Sequence, residues 1–154
     1  MRAFVCLMVL VLATSAFAAD NLLKIRSKDA EFTAPPATVY LKTDSLRRAG
    51  NYITAEFVTS YDQPRYNEAH KFYWHSEVYI FAFDCEVGEY AMLGFTGFTG
   101  PLGTGSIASA LTLPGLYWKS GPVSVRKAEF GRPPSGSFAE SDTKLVCGLV
   151  PFMK

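Results

Sequence analysis

Residues 77–85 constrain the fold of this chain more than any other segment. Side chains of an extended strand point alternately to its two sides, and here both sides are largely apolar. One side carries Glu77, Tyr79, Phe81, Phe83 and Cys85, and the other carries Val78, Ile80, Ala82 and Asp84. A strand that is apolar on both sides has to be covered on both. The pattern therefore predicts a central strand of a sheet.

Further strands are predicted before and after this segment. β-branched and aromatic residues favour strands over residues 38–41, 52–60, 90–95, 107–113 and 116–126. Residues 21–27 are predicted to be a short lead-in, that is, a segment that precedes the first strand. Residues 61–70, which contain Pro64 and several charges, are predicted to be a surface loop. Aromatic residues make up 14% of the chain, a content that favours a β-rich fold over a helical bundle.

One helix is predicted near the end of the chain. Residues 131–136 form a linker rich in proline, glycine and serine, and Ser137 and Glu140 have the spacing of a capping box. In that motif Ser137 accepts from a backbone N–H and Glu140 reaches back to the N–H of Ser137. We expect a short helix that ends near Cys147 and Gly148, so the fold class is mainly β with one helix (α+β).

The beginning of the sequence is typical of a secretory signal peptide over residues 1–18. A basic Arg2 is followed by a short apolar run and by the small-residue pattern Ala16-Phe17-Ala18. An uncleaved anchor is the alternative, but a membrane-spanning helix needs about 20 apolar residues. We therefore expect an exported protein whose residues 19–154 form a single domain without a transmembrane segment.

The cysteine count agrees with export. Cys6 is lost with the signal peptide, so Cys85 and Cys147 remain as an even number in an oxidising compartment. These two residues lie on the predicted central strand and the predicted helix, and they do not form a C-x-x-C motif. A disulfide between them would attach the helix to the sheet. A catalytic or redox role is the weaker alternative.

Composition and motifs argue against several classes of function. The sequence has 15 basic and 14 acidic residues, so no nucleic-acid partner is indicated. His70 and His75 are expected to be exposed, although a metal site could use them together with Glu68 or Glu77. No nucleophile elbow or triad spacing occurs. We therefore predict no catalytic residue, no metal and no cofactor.

The aromatic run Phe72-Tyr73-Trp74 is the candidate binding surface. Exposed aromatic side chains supply contact area and are enriched at protein interfaces. The simpler interpretation is that Trp74 fills the core, and this interpretation is favoured for Trp74 because large aromatic residues are usually buried.

Several segments, taken in order, resemble the surface-adhesin protein E family of bacterial exported proteins. They are residues 38–51, Phe57-Val58-Thr59-Ser60-Tyr61 with Pro64, Ser76, Phe83-Asp84-Cys85, Tyr90-Ala91-Met92-Leu93, Pro133-Pro134-Ser135-Gly136-Ser137 and Val146-Cys147. The resemblance implies a curved antiparallel sheet with a C-terminal helix held on its concave face by the disulfide. It also implies a binding protein of the periplasm or bacterial cell surface, without catalytic residues.

Three functional hypotheses follow. The first is a non-enzymatic exported protein that binds a host, extracellular matrix or envelope protein, as the family name suggests. The second is a periplasmic carrier of a small apolar or haem-like ligand, with His70 or His75 near the aromatic face under the helix. The third is an envelope protein that mainly self-associates, since exposed edge strands would allow a homodimer.

Overall fold

The strands follow one another across a single antiparallel sheet in the order of the chain. A computed structural model describes residues 21–29, 35–67, 71–112 and 128–153. The strands are β1 (Leu22–Lys28), β2 (Ala37–Ala49), β3 (Tyr52–Asn67), β4 (Phe72–Asp84), β5 (Glu89–Phe98) and β6 (Ile107–Thr112). The helix α1 spans Phe138–Leu149, and short 3-10 turns lie at Pro101–Gly103 and Val150–Phe152. The predicted signal peptide and the predicted strand over residues 116–126 lie outside the described residues.

The predicted central strand is confirmed as part of β4. Over residues 76–84 this strand pairs with β3 on one side and with β5 on the other, so both neighbours satisfy its backbone groups there. Alternate residues face the helix, and Phe83 lies opposite Ile53 while Tyr79 lies opposite Phe57. The apolar residues on both sides of β4 therefore reflect an interior position in the sheet.

Two segments predicted to lack strand structure are strands. The predicted lead-in over residues 21–27 is mostly β1, which pairs with β2 and contributes Ile25 to the core. The predicted loop over residues 61–70 continues β3 as far as Asn67. The register shifts between Ser60 and Arg65, and a proline such as Pro64 is tolerated at such an irregularity because it does not have to donate to the ladder.

The helix covers one face of the sheet and completes the larger core. The buried residues of this core are Val39, Leu41, Ile53, Ala55, Phe57, Phe83 and Val146. The predicted disulfide is confirmed between Cys85 and Cys147, which joins the end of β4 to α1. A smaller cluster on the opposite face contains Ala82 and Leu93, and there the ring of Phe130 stacks on Tyr52 with centroids 4.8 Å apart.

One of the two hydrogen bonds predicted for the capping box at the start of α1 is confirmed. The Ser137 hydroxyl accepts from the backbone N–H of Glu140 at 3.2 Å. The Glu140 carboxylate, however, accepts from the N–H of Gly136 at 2.7 Å rather than from Ser137, because the Ser137 N–H donates to the carbonyl of Pro134. Within the described residues, no helix has the length and apolar character needed to cross a bilayer.

Candidate functional site

The β3–β4 hairpin extends beyond the rest of the sheet. The pairing of β2 with β3 ends at Tyr61, and the pairing of β5 with β4 ends at Ser76. Residues 65–67 pair with residues 72–74, and in the described part of the chain they have no other ladder partner. We call residues 65–67 and 72–74 the arm. An arm of this kind presents side chains away from the sheet while the long strands hold its base.

Two tyrosines are exposed on the arm. Tyr66 and Tyr73 lie directly opposite each other, with ring centroids 4.8 Å apart and planes inclined by 47°. Their exposed fractions are 41% and 60%. Tyrosine offers a large amphipathic surface with few rotatable bonds, so it supplies contact area at a small entropy cost. The pair is therefore suited to contact another molecule.

The structure separates the three residues of the predicted binding surface. Trp74 is only 5% exposed, in agreement with the interpretation that it fills the core. It forms an edge contact with Phe72 at 5.4 Å between centroids, and both pack with Ala37 and Tyr61. Only Tyr73 of the three is largely exposed. Its partner Tyr66 was not predicted, because it lies in a segment that the sequence indicates as a loop.

A buried carboxylate holds the base of the arm. Glu77 is 3% exposed, and its Oε2 atom accepts from the hydroxyls of Tyr61 at 2.7 Å and Tyr79 at 2.8 Å. The Arg65 guanidinium lies 3.7 Å from the other carboxylate oxygen. Such bonds to a charged acceptor are stronger than neutral ones. The network therefore ties the arm to both central strands.

Burial raises the pKa values of Tyr61 and Tyr79, and the adjacent Glu77 carboxylate raises them further. A phenolate at either position would be desolvated and would face a second negative charge. Both hydroxyls therefore stay protonated and act as hydrogen-bond donors. The sequence gives no signal for this network, since Tyr61 and Glu77 are brought together only by strand pairing.

A cleft lies beside this network, between the sheet and the beginning of α1. Its volume is about 420 Å³. The described residues that line it are Arg26, Lys28, Asp29, Pro35, Ala37, Val39, Phe57, Thr59, Tyr61, Arg65, Glu77, Tyr79, Phe81 and Asp142. On its helix side, Arg26 forms an ion pair with Asp142 through two nitrogens, one of them at 3.0 Å, and its guanidinium lies over the Phe138 ring.

The described residues do not bring a histidine together with acidic residues in a set that could bind a metal ion. His70 and Glu68 lie outside the described residues, and His75 lies in β4. Among the described residues there is no group of three or more histidines, cysteines or acids that could hold a metal ion. The lining residues named above include no histidine. The metal and haem hypotheses therefore gain no support from this cleft.

The fold resembles that of solved structures of protein E from Haemophilus influenzae. A crystal structure of protein E from non-typeable Haemophilus influenzae matches with a TM-score of 0.54 and 13% identity, covering 86% of this chain and 87% of that one. A further structure of Haemophilus influenzae protein E matches with a TM-score of 0.53 and 12% identity, covering 87% and 98%. At such identities the likeness establishes the fold.

The sequence itself gives the assignment. No curated protein matches the chain in sequence. The family described as Surface-adhesin protein E matches residues 30–148, a span that contains β2 to β6 and most of α1. Both cysteines of the disulfide fall within it. Because the match covers far more than half of the sequence, the chain belongs to the surface-adhesin protein E family.

Proposed function

We propose that this protein is a bacterial adhesin that is exported to the cell surface and binds a host or extracellular matrix protein through the arm. The observation that carries the proposal is the exposed pair of Tyr66 and Tyr73, presented by a projecting hairpin in a member of a surface-adhesin family. Aromatic residues are enriched where proteins bind one another.

The base of the arm supports this role because it limits motion before binding. Trp74 is buried against Phe72, and Gly97 on β5 leaves room for the indole ring. Arg65 lies above the indole at 5.8 Å and beside Glu77. A surface that is already ordered loses less conformational entropy when it binds. The arm therefore has the properties of a preorganised contact surface.

We infer that the activity is binding without catalysis. The two buried acids of the described residues are Glu77 and Asp142, and both already accept hydrogen bonds from neighbouring side chains. Their arrangement stabilises the fold and leaves no free general base at these positions. A binding protein of the family needs no further chemistry.

The test compares binding of the purified protein with that of two variants on a panel of immobilised extracellular matrix proteins. We expect Tyr66→Ala/Tyr73→Ala to weaken binding to the recognised partner by at least about tenfold, as loss of an aromatic anchor does. Phe152→Ala is the matched control, since Phe152 is an exposed aromatic residue outside the arm. Equal binding of both variants and the wild type would show that the arm is not the binding surface.

Location needs a separate measurement. Antibody labelling of intact cells should detect a protein on the outer surface, whereas labelling only after the outer membrane is opened would place it in the periplasm. A periplasmic result would favour an envelope partner over a host partner. The homodimer stays a prediction, which sedimentation of the purified protein tests.

A further inference from the structure

The cleft beside α1 has a feature that the adhesin proposal does not use. It combines a size typical of small-molecule sites, about 300–1,000 Å³, with half-buried aromatic walls from Tyr79 and Phe81. Three cationic side chains line it as well: Arg65 lies beside Glu77, and the other two are Arg26 and Lys28. Both approach the Phe138 ring, Arg26 at 4.6 Å and Lys28 at 5.9 Å from its centroid. The two positive groups therefore lie on one side of the cleft.

These cations retain hydrogen-bonding capacity. Arg26 uses Nη1 and Nη2 on Asp142, while its Nε atom is buried and has no hydrogen-bond partner within the described structure. No carboxylate of the described residues lies within ion-pair distance of Lys28. A buried donor without a partner costs free energy, so the Nε–H of Arg26 would be stabilised by any acceptor that comes within hydrogen-bonding distance of it.

The charges of the lining residues indicate which anion fits. Arg26 is paired with Asp142, and Arg65 lies near Glu77. Lys28 remains as the cation without a paired acid among the residues described, and Asp29 is exposed, where water screens its charge. A dianion such as a phosphate monoester would meet Glu77 and Asp142 with an excess of negative charge. A single carboxylate matches the available positive charge.

We propose that the cleft binds a small carboxylate with an apolar body: the carboxylate contacts Arg26 and Lys28, and the body lies against Tyr79 and Phe81. The ligand is either a free aryl- or alkylcarboxylate or the C-terminal carboxylate of a peptide that ends in an apolar residue. Both sources present the same chemistry to the cleft. The site is separate from the tyrosine pair of the arm.

The test is calorimetric titration of residues 19–154 with four probes at pH 7. They are 3-phenylpropionate, its neutral amide, the free acid of acetyl-Ala-Phe and the amide of that dipeptide. We expect at least one acid to bind with a Kd below about 1 mM and its amide to bind at least about tenfold more weakly, because a charge-assisted hydrogen bond is lost. Whether the phenylpropionate or the dipeptide binds identifies the source.

Two lysine variants distinguish direct contact with the ligand from a general effect of the protein's positive charge. Lys28→Met should weaken binding of the acid about tenfold, while Lys24→Met, on the same strand but outside the cleft lining, should leave it within about twofold. The proposal is overturned if neither acid binds, if the amides bind as well as the acids, or if the two lysine variants behave alike. Each variant's melting temperature is measured alongside, so that a folding defect is recognised.

Discussion

Removing the disulfide tests how strongly the fold depends on the attachment of α1 to the sheet. Val146 is fully buried in the core, and Asp142 is paired with Arg26. These noncovalent contacts hold only one side of a twelve-residue helix. The double variant Cys85→Ala/Cys147→Ala removes the covalent bond and leaves small apolar side chains in its place.

The expected loss follows from the length of the loop that the bond closes. The two cysteines are 62 positions apart, and the chain-entropy model assigns about 4 kcal/mol to a loop of this size. Small domains have a total stability of about 5–15 kcal/mol, so the variant should lose a large part of it. We expect the melting temperature to fall by on the order of 10 °C, with amide hydrogens of α1 exchanging before those of β3 and β4.

Urea denaturation followed by circular dichroism measures the change in free energy of unfolding. Wild-type protein unfolded in the presence of a reductant is the control, since it loses the bond without any change of sequence, and it should behave like the variant. A loss below about 1 kcal/mol in both samples would refute the reasoning. It would mean that the helix is held almost entirely by its apolar contacts.

Three further predictions concern two glycines and one pair of buried tyrosines. Gly148→Ala should raise the free energy of unfolding by roughly 0.5–1 kcal/mol, because an added Cβ on this exposed helical residue meets no atom within 4 Å; urea denaturation measures it. Gly97→Ala should lower the melting temperature and shift tryptophan fluorescence, because the new Cβ would lie 2.9 Å from the Trp74 ring. Stability should also fall as pH rises above about 10: the pKa values of Tyr61 and Tyr79 are raised in the folded state, so the unfolded chain loses its protons first. The variant Tyr61→Phe/Tyr79→Phe should show a smaller decrease in urea midpoint between pH 8 and 10.5.

Local patterns in the sequence were sufficient for the parts of the fold that depend on neighbouring residues. The apolar residues on both sides of β4 require an interior strand. The side chain of Ser137 satisfies a backbone donor three residues later. The pairing of Cys85 with Cys147, now present in the structure, followed from the count of cysteines in a chain predicted to be exported. In the first two cases the physical cause acts between residues that are close in sequence. In the third, two cysteines allow only one pairing.

Tertiary structure decided the parts that depend on distant residues. The end of β3 is a strand because β4 offers hydrogen bonds there, which outweighs the local signals for a loop. The predicted lead-in over residues 21–27 is a strand because it pairs with β2. The candidate site was only partly predicted for the same reason. Tyr73 is exposed and Trp74 is buried, although the two residues are adjacent, and Tyr66 joins Tyr73 only across the hairpin.

The network around Glu77 is the clearest example of contacts that the sequence alone did not predict. Its hydrogen bonds join Tyr61 on β3 to a carboxylate on β4, and the cleft beside it draws Arg26 from β1 and Asp142 from α1. The sequence by itself determined which segments are apolar, where the helix begins and which cysteines can pair. Only the folded chain determined which polar groups meet, because burial and pairing depend on contacts between residues far apart in sequence.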